Sequence, residues 1–416
     1  MKKLTLVTTA VLSLLSAPAA WAQSTVTLYG IADIGYNRVS GLKNGTVNTI
    51  ASGIGSGSRF GMRGTEDLGG GYKAVFVLEN RLELDTGSVS NSPNSFPNLP
   101  DRFSSAALLG LPSALQPGIA SLATGFGANV RVNGAGNLFD RQAYVGLVTP
   151  VGAFTLGRQY TPAFLVATTF DTTQADTALA AGQVVGFPGG VEIRLNNTIQ
   201  YAIQKNGFTG LLMYGAGEVA GDSSRGRFYG VGGIYKGAGF SVGAGYNRAN
   251  NTLGEKALTS AVVGGTFDIG PGTLFGQYDV IKNENPQNFV AISAAAGGFA
   301  AFGAAAPLAQ NAYKQAFRQD GNLAHIGYKL TSGVNTVAVT YTRYDDKLAA
   351  NADVTSYGVA YYYALSKRTQ LQAVVSRFNN KGLAQAAPGG GGFLGGFTGS
   401  AGQDSTGLAL GIRHTF

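Results

Sequence analysis

The last nine residues of the chain alternate between large apolar and small or polar side chains. Positions 408, 410, 412, 414 and 416 are Leu, Leu, Ile, His and Phe, whereas Ala, Gly, Arg and Thr lie between them. Side chains of a β-strand point alternately to its two faces, so one face suits an apolar medium and the other suits water. Any half-buried strand of an antiparallel sheet gives this pattern. With its terminal aromatic residue, Phe416, as an assembly signal, the segment favours the closing strand of an outer-membrane barrel.

The other end of the chain has the pattern of an export signal. Lys2 and Lys3 precede an apolar stretch from Leu4 to Leu15, and Ala20 and Ala22 form a small-residue cleavage site. We therefore predict a signal peptide at 1–22 and a single barrel domain at 23–416. Removal of the two lysines lowers the formal net charge from +8 to +6.

Composition restricts the class of protein further. The chain has 63 Gly, 19 Tyr, 23 Phe and no Cys, and only 12% of its residues are charged. A large secreted domain without disulfides needs another source of stability, and a closed sheet pairs every backbone donor and acceptor even against hydrocarbon. The absence of cysteine excludes thiol chemistry, and we predict no metal and no cofactor. Basic residues are scattered singly, which argues against a nucleic-acid partner.

Segments of about ten residues with strand character are separated alternately by short turns and long connections. The short turns lie at 67–71, 149–152, 205–207, 236–239, 268–272, 331–333 and 366–368. The long connections lie at roughly 40–57, 86–137, 161–194, 219–224, 250–255, 284–317, 345–353 and 382–403. This arrangement predicts an all-β fold, a 16-stranded antiparallel transmembrane β-barrel with short periplasmic turns and long external loops.

Two stretches compete as transmembrane helices. Phe289 to Ala309 contains no charge, and Ser104 to Phe126 is nearly as apolar. The first is mostly Ala and Gly, and the second contains Pro112 and Pro117. Both stretches fall where long loops are expected, so we predict loop insertions with short helices at the barrel mouth.

Alternation within strands also predicts which side chains face the lumen. Arg59 and Arg63 share one face of a strand, Glu79 and Arg81 share one face of the next, and Arg194 begins a polar row with Asn196. By contrast, Tyr357, Val359, Tyr361 and Tyr363 form an aromatic face suited to a membrane boundary.

Six motifs, spread over the mature chain, carry a resemblance to a known family. They are TVTLYG at 25–30, SRFGMRGTEDLGGG at 58–71, FDRQAYVGL at 139–147, TLGRQYTP at 155–162, YALSKR at 363–368 and GIRHTF at 411–416. Together they resemble the Gram-negative general porins of the neisserial and burkholderial type. The resemblance implies a homotrimer of barrels, each with a water-filled pore and a third external loop folded into the lumen.

Carried onto this sequence, the resemblance places the third loop at Tyr160 to Arg194. It implies an acidic side of the pore constriction formed by Asp171, Asp176 and Glu192 and a basic wall formed by Arg59, Arg194 and Arg141, with Arg158 as a further candidate. From alternation within strands we add Arg81 and Arg63 to the basic wall and Glu79 to the acidic side. Periodicity supports Arg59 and Arg194 but not Arg141 and Arg158, which share parity with apolar residues. The second loop is longer and more apolar than the family pattern, the sixth is rich in Ala and Gly, and we expect the glycine tract at 389–396 to be flexible.

These patterns predict an outer-membrane channel for passive diffusion of small hydrophilic solutes and ions, with a moderate anion preference. The expected partners are two further copies of the chain, outer-membrane lipid and lipopolysaccharide, the barrel-assembly machinery and small anions. A hydrolase is the alternative suggested by Ser241 in a Gly-Phe-Ser-Val-Gly sequence, but a nucleophile elbow needs a strand-to-helix turn. A secreted soluble β protein is a third class, which predicts neither the terminal Phe416 nor an outward aromatic band.

Overall fold

In the computed structural model the chain forms one continuous antiparallel sheet. The structure describes residues 25–130, 132–133, 135–286 and 298–416, so the predicted signal peptide lies outside the described residues. The strands are β1 (Thr25–Leu42), β2 (Gly45–Ser52), β3 (Arg59–Gly69), β4 (Tyr72–Arg81), β5 (Gln142–Thr149), β6 (Gly152–Tyr160), β7 (Arg194–Lys205), β8 (Phe208–Gly215), β9 (Phe228–Lys236), β10 (Phe240–Asn250), β11 (Lys256–Ile269), β12 (Gly272–Asn283), β13 (Gln319–Ser332), β14 (Asn335–Asp346), β15 (Val354–Ala364), β16 (Thr369–Asn380) and β17 (Ser405–Thr415).

The last strand closes the sheet on the first. β17 pairs with β1 in a register that runs from Ile31 opposite Thr415 to Ser40 opposite Thr406. Beyond the ladder, the Phe416 amide donates to the Gly30 carbonyl at 3.1 Å, and the Gly30 amide donates to the Phe416 carbonyl at 3.0 Å. The predicted closing strand is therefore confirmed, and the described sheet forms a complete ring of strands.

The seventeen strands fill sixteen positions around the barrel, because β2 and β3 together occupy the one position beside β1. β2 pairs with the upper part of β1, where Ile34 lies opposite Ser52, and β3 pairs with the lower part, where Ile31 lies opposite Arg59. Between them, Gly53 to Ser58 leaves the wall as a pouch whose residues are all buried. The expected sixteen-stranded barrel is confirmed.

The predicted long loop at 40–57 is wrong. β1 continues to Leu42, and a two-residue turn leads directly into β2. The glycine- and serine-rich sequence that suggested a loop belongs to the pouch at Gly53–Ser58. Because this segment turns into the barrel, it interrupts the wall between β2 and β3 and does not form a loop at the rim. The other long connections and all seven short turns lie at the predicted ends of strands.

Outward-facing side chains form an apolar and aromatic band. Leu408, Leu410 and Ile412 of β17 are exposed, whereas Ala409 and Arg413 on its opposite face are buried. The predicted aromatic face of β15 is likewise confirmed, because Tyr357, Val359, Tyr361 and Tyr363 are all exposed. Polar residues occupy the opposite parity on most strands, so the barrel has an apolar outside and a polar inside.

Three helices of the long loops pack together into a cap at one rim of the barrel. They are α1 (Asp101–Ser104) and α2 (Gln116–Asn129) of the second loop and, in the sixth loop, a helix at Ala306–Ala316. Three-residue and seven-residue 3₁₀ helices precede α2 and the sixth-loop helix at Ser113–Leu115 and Phe299–Ala305. Phe103, Phe126, Tyr313 and Phe317 form the core of this cap and are at most 1% exposed.

The cap confirms the expectation of helical loop insertions at the barrel mouth. Pro112 and Pro117 fall at the starts of short helices, where proline is tolerated because the first backbone amides need no partner. Among the described residues, no helix has both the length and the apolar character required to span a membrane. Part of the apolar stretch from Phe289 to Ala309 lies outside the described residues.

The third loop enters the barrel through α3 (Pro162–Phe170), which lies against the inner wall of β9, β10 and β11; we call the sixth-loop helix α4. Glycines line the groove that receives α3. A Cβ at Gly230 would lie 2.7 Å from Pro162, and one at Gly264 would lie 2.7 Å from Phe170. Missing side chains thus let the helix approach the wall closely. A 3₁₀ turn at Ala181–Val184 follows before the loop returns to β7.

Loss of a buried ring should loosen the cap and leave the barrel intact. Phe126→Ala removes a fully buried ring that packs on Tyr313 at 5.3 Å, and such truncations typically cost about 3–5 kcal/mol. We expect faster cleavage of the second loop by an added protease, with the thermal transition of the barrel unchanged. Leu108→Ala, in the same loop but 44% exposed, is the matched control. Equal cleavage rates for both variants would contradict a packed cap.

Candidate functional site: a charged throat inside the barrel

A cavity inside the barrel lies between the inward loops and one side of the wall. Its empty volume is about 1480 Å³, including the space open to solvent. Arginines of β3, β4, β7 and the end of the second loop line one side of it. The third loop, β11, β12 and the glycine tract of the last loop line the other sides. The surrounding strands and loops therefore narrow the lumen to a throat.

Four arginines and one tyrosine form the basic wall, which consists of Arg59, Arg81, Arg141, Arg194 and Tyr160. The Tyr160 hydroxyl accepts hydrogen bonds from Arg141 at 2.8 Å and from Arg194 at 2.9 Å. The guanidinium of Arg194 also lies over the Tyr160 ring, 4.5 Å from its centroid. One phenol thus holds two guanidinium groups in fixed positions.

Within the described part of the chain, two of these four arginines form ion pairs with carboxylates. Arg81 lies 3.1 Å from Glu83 and 3.5 Å from Asp140. Arg141 lies 2.7 Å from Glu79, which also accepts a hydrogen bond from Tyr29 at 3.1 Å.

The other two, Arg59 and Arg194, have no carboxylate oxygen within 4.0 Å among the residues that the structure describes. Nε of Arg59 donates to the Gly57 carbonyl at 2.8 Å, a neutral acceptor. Arg59 and Arg194 therefore have no ion-pair partner among the described residues.

The acidic residues of the third loop hold that loop in place. Asp171 accepts hydrogen bonds from the Thr173 amide at 2.7 Å and from the Ala181 amide at 2.6 Å. Asp176 accepts from Ser56 of the pouch at 2.5 Å and forms an ion pair with Arg413 of β17 at 3.1 Å. Both carboxylates line the cavity, but their oxygens are bound to the barrel or to the loop.

The last loop also turns into the barrel. Gly392 accepts from Arg81 at 2.7 Å, and its amide donates to Gly53 of the pouch at 3.1 Å. Gln183 of the third loop donates to the Gly390 carbonyl at 2.9 Å. The expectation of a flexible tract at 389–396 is therefore wrong: glycine serves here for close packing, since a Cβ at Gly391 would lie 1.8 Å from the Gly55 carbonyl oxygen.

Comparison with known proteins decides the family. The model of the Gram-negative porin family matches residues 8–383. The chain belongs to the Gram-negative porin family. Outer membrane porin protein 32 of Delftia acidovorans is 28% identical over 433 residues that cover 100% of both chains. An outer membrane porin protein of Bordetella pertussis is 40% identical over 94 residues, which cover 19% of this chain and 24% of that one.

Solved structures agree with the porin fold. An anion-selective porin from Comamonas acidovorans has a TM-score of 0.67 at 24% identity, covering 95% of this chain and 100% of that one. The trimer form of an outer membrane protein from Vibrio cholerae has a TM-score of 0.55 at 14% identity, covering 94% and 99%. This porin is an outer-membrane channel protein with a sixteen-stranded barrel.

The structure brings most of the predicted constriction residues of the porin together. Arg59, Arg81, Arg141 and Arg194 line the throat with Asp171 and Asp176. Arg141 precedes β5 and reaches the lumen from the end of the second loop, so the parity argument against it did not apply. Glu79 lies on the basic wall as the partner of Arg141, and its assignment to the acidic side is wrong.

Three predicted residues lie elsewhere. Arg158 donates to the Asp140 carbonyl at 2.5 Å and to the exposed Asn196 at 2.7 Å, and it is not part of the throat lining. Asn196 leaves the predicted polar row because the pairing of β6 with β7 shifts at a bulge in β7, where Asn196 and Asn197 lie opposite Arg158 and Asn197 has a φ of 57°. Arg63 is exposed and lies over the Tyr29 ring at 5.3 Å.

Glu192 ends the third loop outside the throat lining. Burial raises the pKa of Glu192, and the positive charge of Arg158 opposes that shift. Its predicted place on the acidic side of the constriction is wrong. The loop turns back toward β7 before this position, so its side chain lies near the outward-facing Arg158.

Sequence reasoning missed Asp279 and Tyr160. Asp279 of β12 lines the throat, and its Oδ1 is buried with no hydrogen-bond partner among the described residues. Alternation with the inward Gln277 and Ile281 was a usable signal for it. The sequence indicates Tyr160 only as the start of a loop, because its role as an acceptor for two arginines depends on the tertiary fold.

The serine that suggested a hydrolase lies inside a strand. Ser241 of β10 is hydrogen bonded to Thr266 of β11 at 3.0 Å, and it is not at a strand-to-helix turn. His325 is hydrogen bonded to Thr172 of the third loop at 2.9 Å and to Thr342 at 2.8 Å. In the described part of the chain, no three His, Asp or Glu side chains lie close enough to hold a metal ion.

Displacing the last loop should widen the throat. Gly391→Ala forces a methyl group against the Gly55 carbonyl, so the glycine tract must move away from the pouch and from Arg81. We expect a larger single-channel conductance than that of the unmodified porin. Gly182→Ala is the matched control, because this cavity-lining residue has no atom within 4 Å of the added Cβ. An unchanged conductance in Gly391→Ala would contradict the inward packing of the loop.

Proposed function

We propose that this porin is a passive pore for small hydrophilic solutes and ions, with a moderate preference for anions. The observation that carries the proposal is the pair of arginines, Arg59 and Arg194, that line the throat without a carboxylate partner among the described residues. Relatives point the same way: the matched Comamonas acidovorans structure is described as an anion-selective porin.

The physical basis is the field inside a narrow aqueous passage with low-dielectric walls. Such walls focus the potential of a few fixed charges on the passing ion. Arg59 and Arg194, which have no ion-pair partner among the described residues, line this passage together with Asp279 and Asp171. Polar solutes with a dipole are oriented by this field, whereas the excess of positive charge favours anions.

We extend the proposal to the assembly and export of the porin. Residues 1–22 direct export and are removed, and the barrel-assembly machinery inserts the mature chain through its last strand with Phe416. Three copies form a trimer in outer-membrane lipid and lipopolysaccharide. In this trimer the exposed apolar residues of β1, including Val26 and Leu28, and those of β17 would face a neighbouring copy.

The proposed role is that of a channel and not of an enzyme. The only argument for a hydrolase was the sequence around Ser241, whose hydroxyl is already hydrogen bonded to Thr266. Transport needs no energy source, because solutes move down their own gradients through the pore.

Charge removal tests the proposal. In Arg59→Gln/Arg194→Gln, the throat loses two positive charges, each worth about 0.5 kcal/mol to an anion roughly 8 Å away in water. We expect the anion-to-cation permeability ratio to fall about fivefold, measured as the reversal potential of purified protein in a planar bilayer under a salt gradient. Arg158→Gln, which removes an arginine outside the throat, should leave that ratio unchanged. A reversal potential that does not move in the double variant would contradict the assignment.

A further inference from the structure

Apolar side chains line the throat beside its charged groups. Phe164 of α3, Val185 and Ile193 of the third loop, and Leu394 of the last loop all line the cavity, and none of the four is fully buried. The third-loop carboxylates Asp171 and Asp176 are engaged by hydrogen bonds and by Arg413. The throat lining therefore offers an anion both guanidinium groups and apolar side chains.

An aromatic platform adjoins the cationic wall. Arg194 lies over one ring, that of Tyr160, at 4.5 Å. The Tyr160 ring stacks on Phe164 with centroids 5.3 Å apart and planes 12° from parallel. Phe164 thus places an aromatic surface in the cavity, and the Tyr160 ring lies between it and the guanidinium of Arg194. Planar rings pack well on such a surface in an offset arrangement.

From this juxtaposition we infer that the throat binds aromatic monocarboxylates more tightly than small aliphatic ones. The inference rests on the proposed function, since it names a solute class for the same pore. The carboxylate would accept hydrogen bonds from Arg59 and Arg194, whose planar guanidinium groups match its geometry. The ring would lie against Phe164 and the neighbouring aliphatic side chains.

The carboxylate of this ligand matches the arginines of the throat, and its ring matches the apolar side chains of the lining. Inorganic anions use the arginines and gain nothing from the apolar wall, and apolar solutes gain nothing from the charges. A second carboxylate on the ligand would approach Asp279 and the third-loop acids, which disfavours dianions. One negative charge attached to one ring is therefore the best fit.

Two measurements on the purified, detergent-solubilised trimer or monomer test the inference separately from the proposed function. Equilibrium dialysis gives the affinity for benzoate and for acetate, and bilayer current in potassium chloride reports the pore itself. We expect benzoate to bind about three- to tenfold more tightly than acetate, the factor that one aromatic contact supplies. We also expect benzoate to reduce the chloride current at lower concentration than acetate does.

Variants assign the binding to its two parts. Phe164→Leu should weaken benzoate binding about threefold and leave acetate binding unchanged, because only the ring contact is lost. Arg194→Gln should weaken the binding of both anions. Phe154→Leu makes the same substitution on the outward face of β6, where Phe154 is 42% exposed, and should change neither affinity.

The outcomes separate the two ideas. Equal affinities for benzoate and acetate, or an unchanged benzoate affinity in Phe164→Leu, would overturn the inference while chloride current still supports the pore. If Phe164→Leu fails to assemble, Leu394→Ser in the last loop takes its place. We again expect weaker benzoate binding and unchanged acetate binding. Tight benzoate binding without chloride current would support the site and contradict the proposed channel.

Discussion

Backbone hydrogen bonding between the first and last strands is the constraint on which the rest of the structure depends. A sheet in contact with hydrocarbon can leave no edge unpaired, because lipid offers no hydrogen bonds. The pairing of β1 with β17, extended by the exchange between Phe416 and Gly30, removes that edge. Closure then imposes one parity on every strand, with apolar residues outward and polar residues inward. The inward parity is what makes a charged passage possible.

Space inside the ring is filled from three directions. The third loop, the pouch at Gly53–Ser58 and the last loop meet along the wall formed by the last strands. Their contacts depend on glycine, which permits backbone approach at distances that a Cβ would prevent. Ion pairing then orders the assembly, since Asp176 connects the third loop to both the pouch and Arg413. The acidic side of the throat is thus partly consumed in holding its own loop.

The balance of charge in the throat follows from these contacts. Glu79, Glu83 and Asp140 each form an ion pair with an arginine of the basic wall, and Arg59 and Arg194 have no carboxylate oxygen within 4.0 Å in the described residues. Burying a charge is costly unless it is paired or hydrated, so arginines without an ion-pair partner are favoured where the passage is aqueous. The Tyr160 hydroxyl holds Arg194 in position while leaving its charge uncompensated.

The sequence alone determined the barrel, its sixteen strand positions, the short turns and the outward aromatic band. These features depend on a two-residue period and on turn residues, which are local signals. It also determined that Arg59 belongs to the throat. The tertiary structure alone decided that Glu79 lies on the basic wall, that Arg158 and Glu192 lie outside the throat, and that the glycine tract of the last loop packs inside the barrel. Those outcomes depend on a bulge at Asn197 and on contacts between residues distant in sequence, and neither leaves a periodic trace in the chain. Glycine was ambiguous for the same reason, since free loops and tightly packed grooves both favour it.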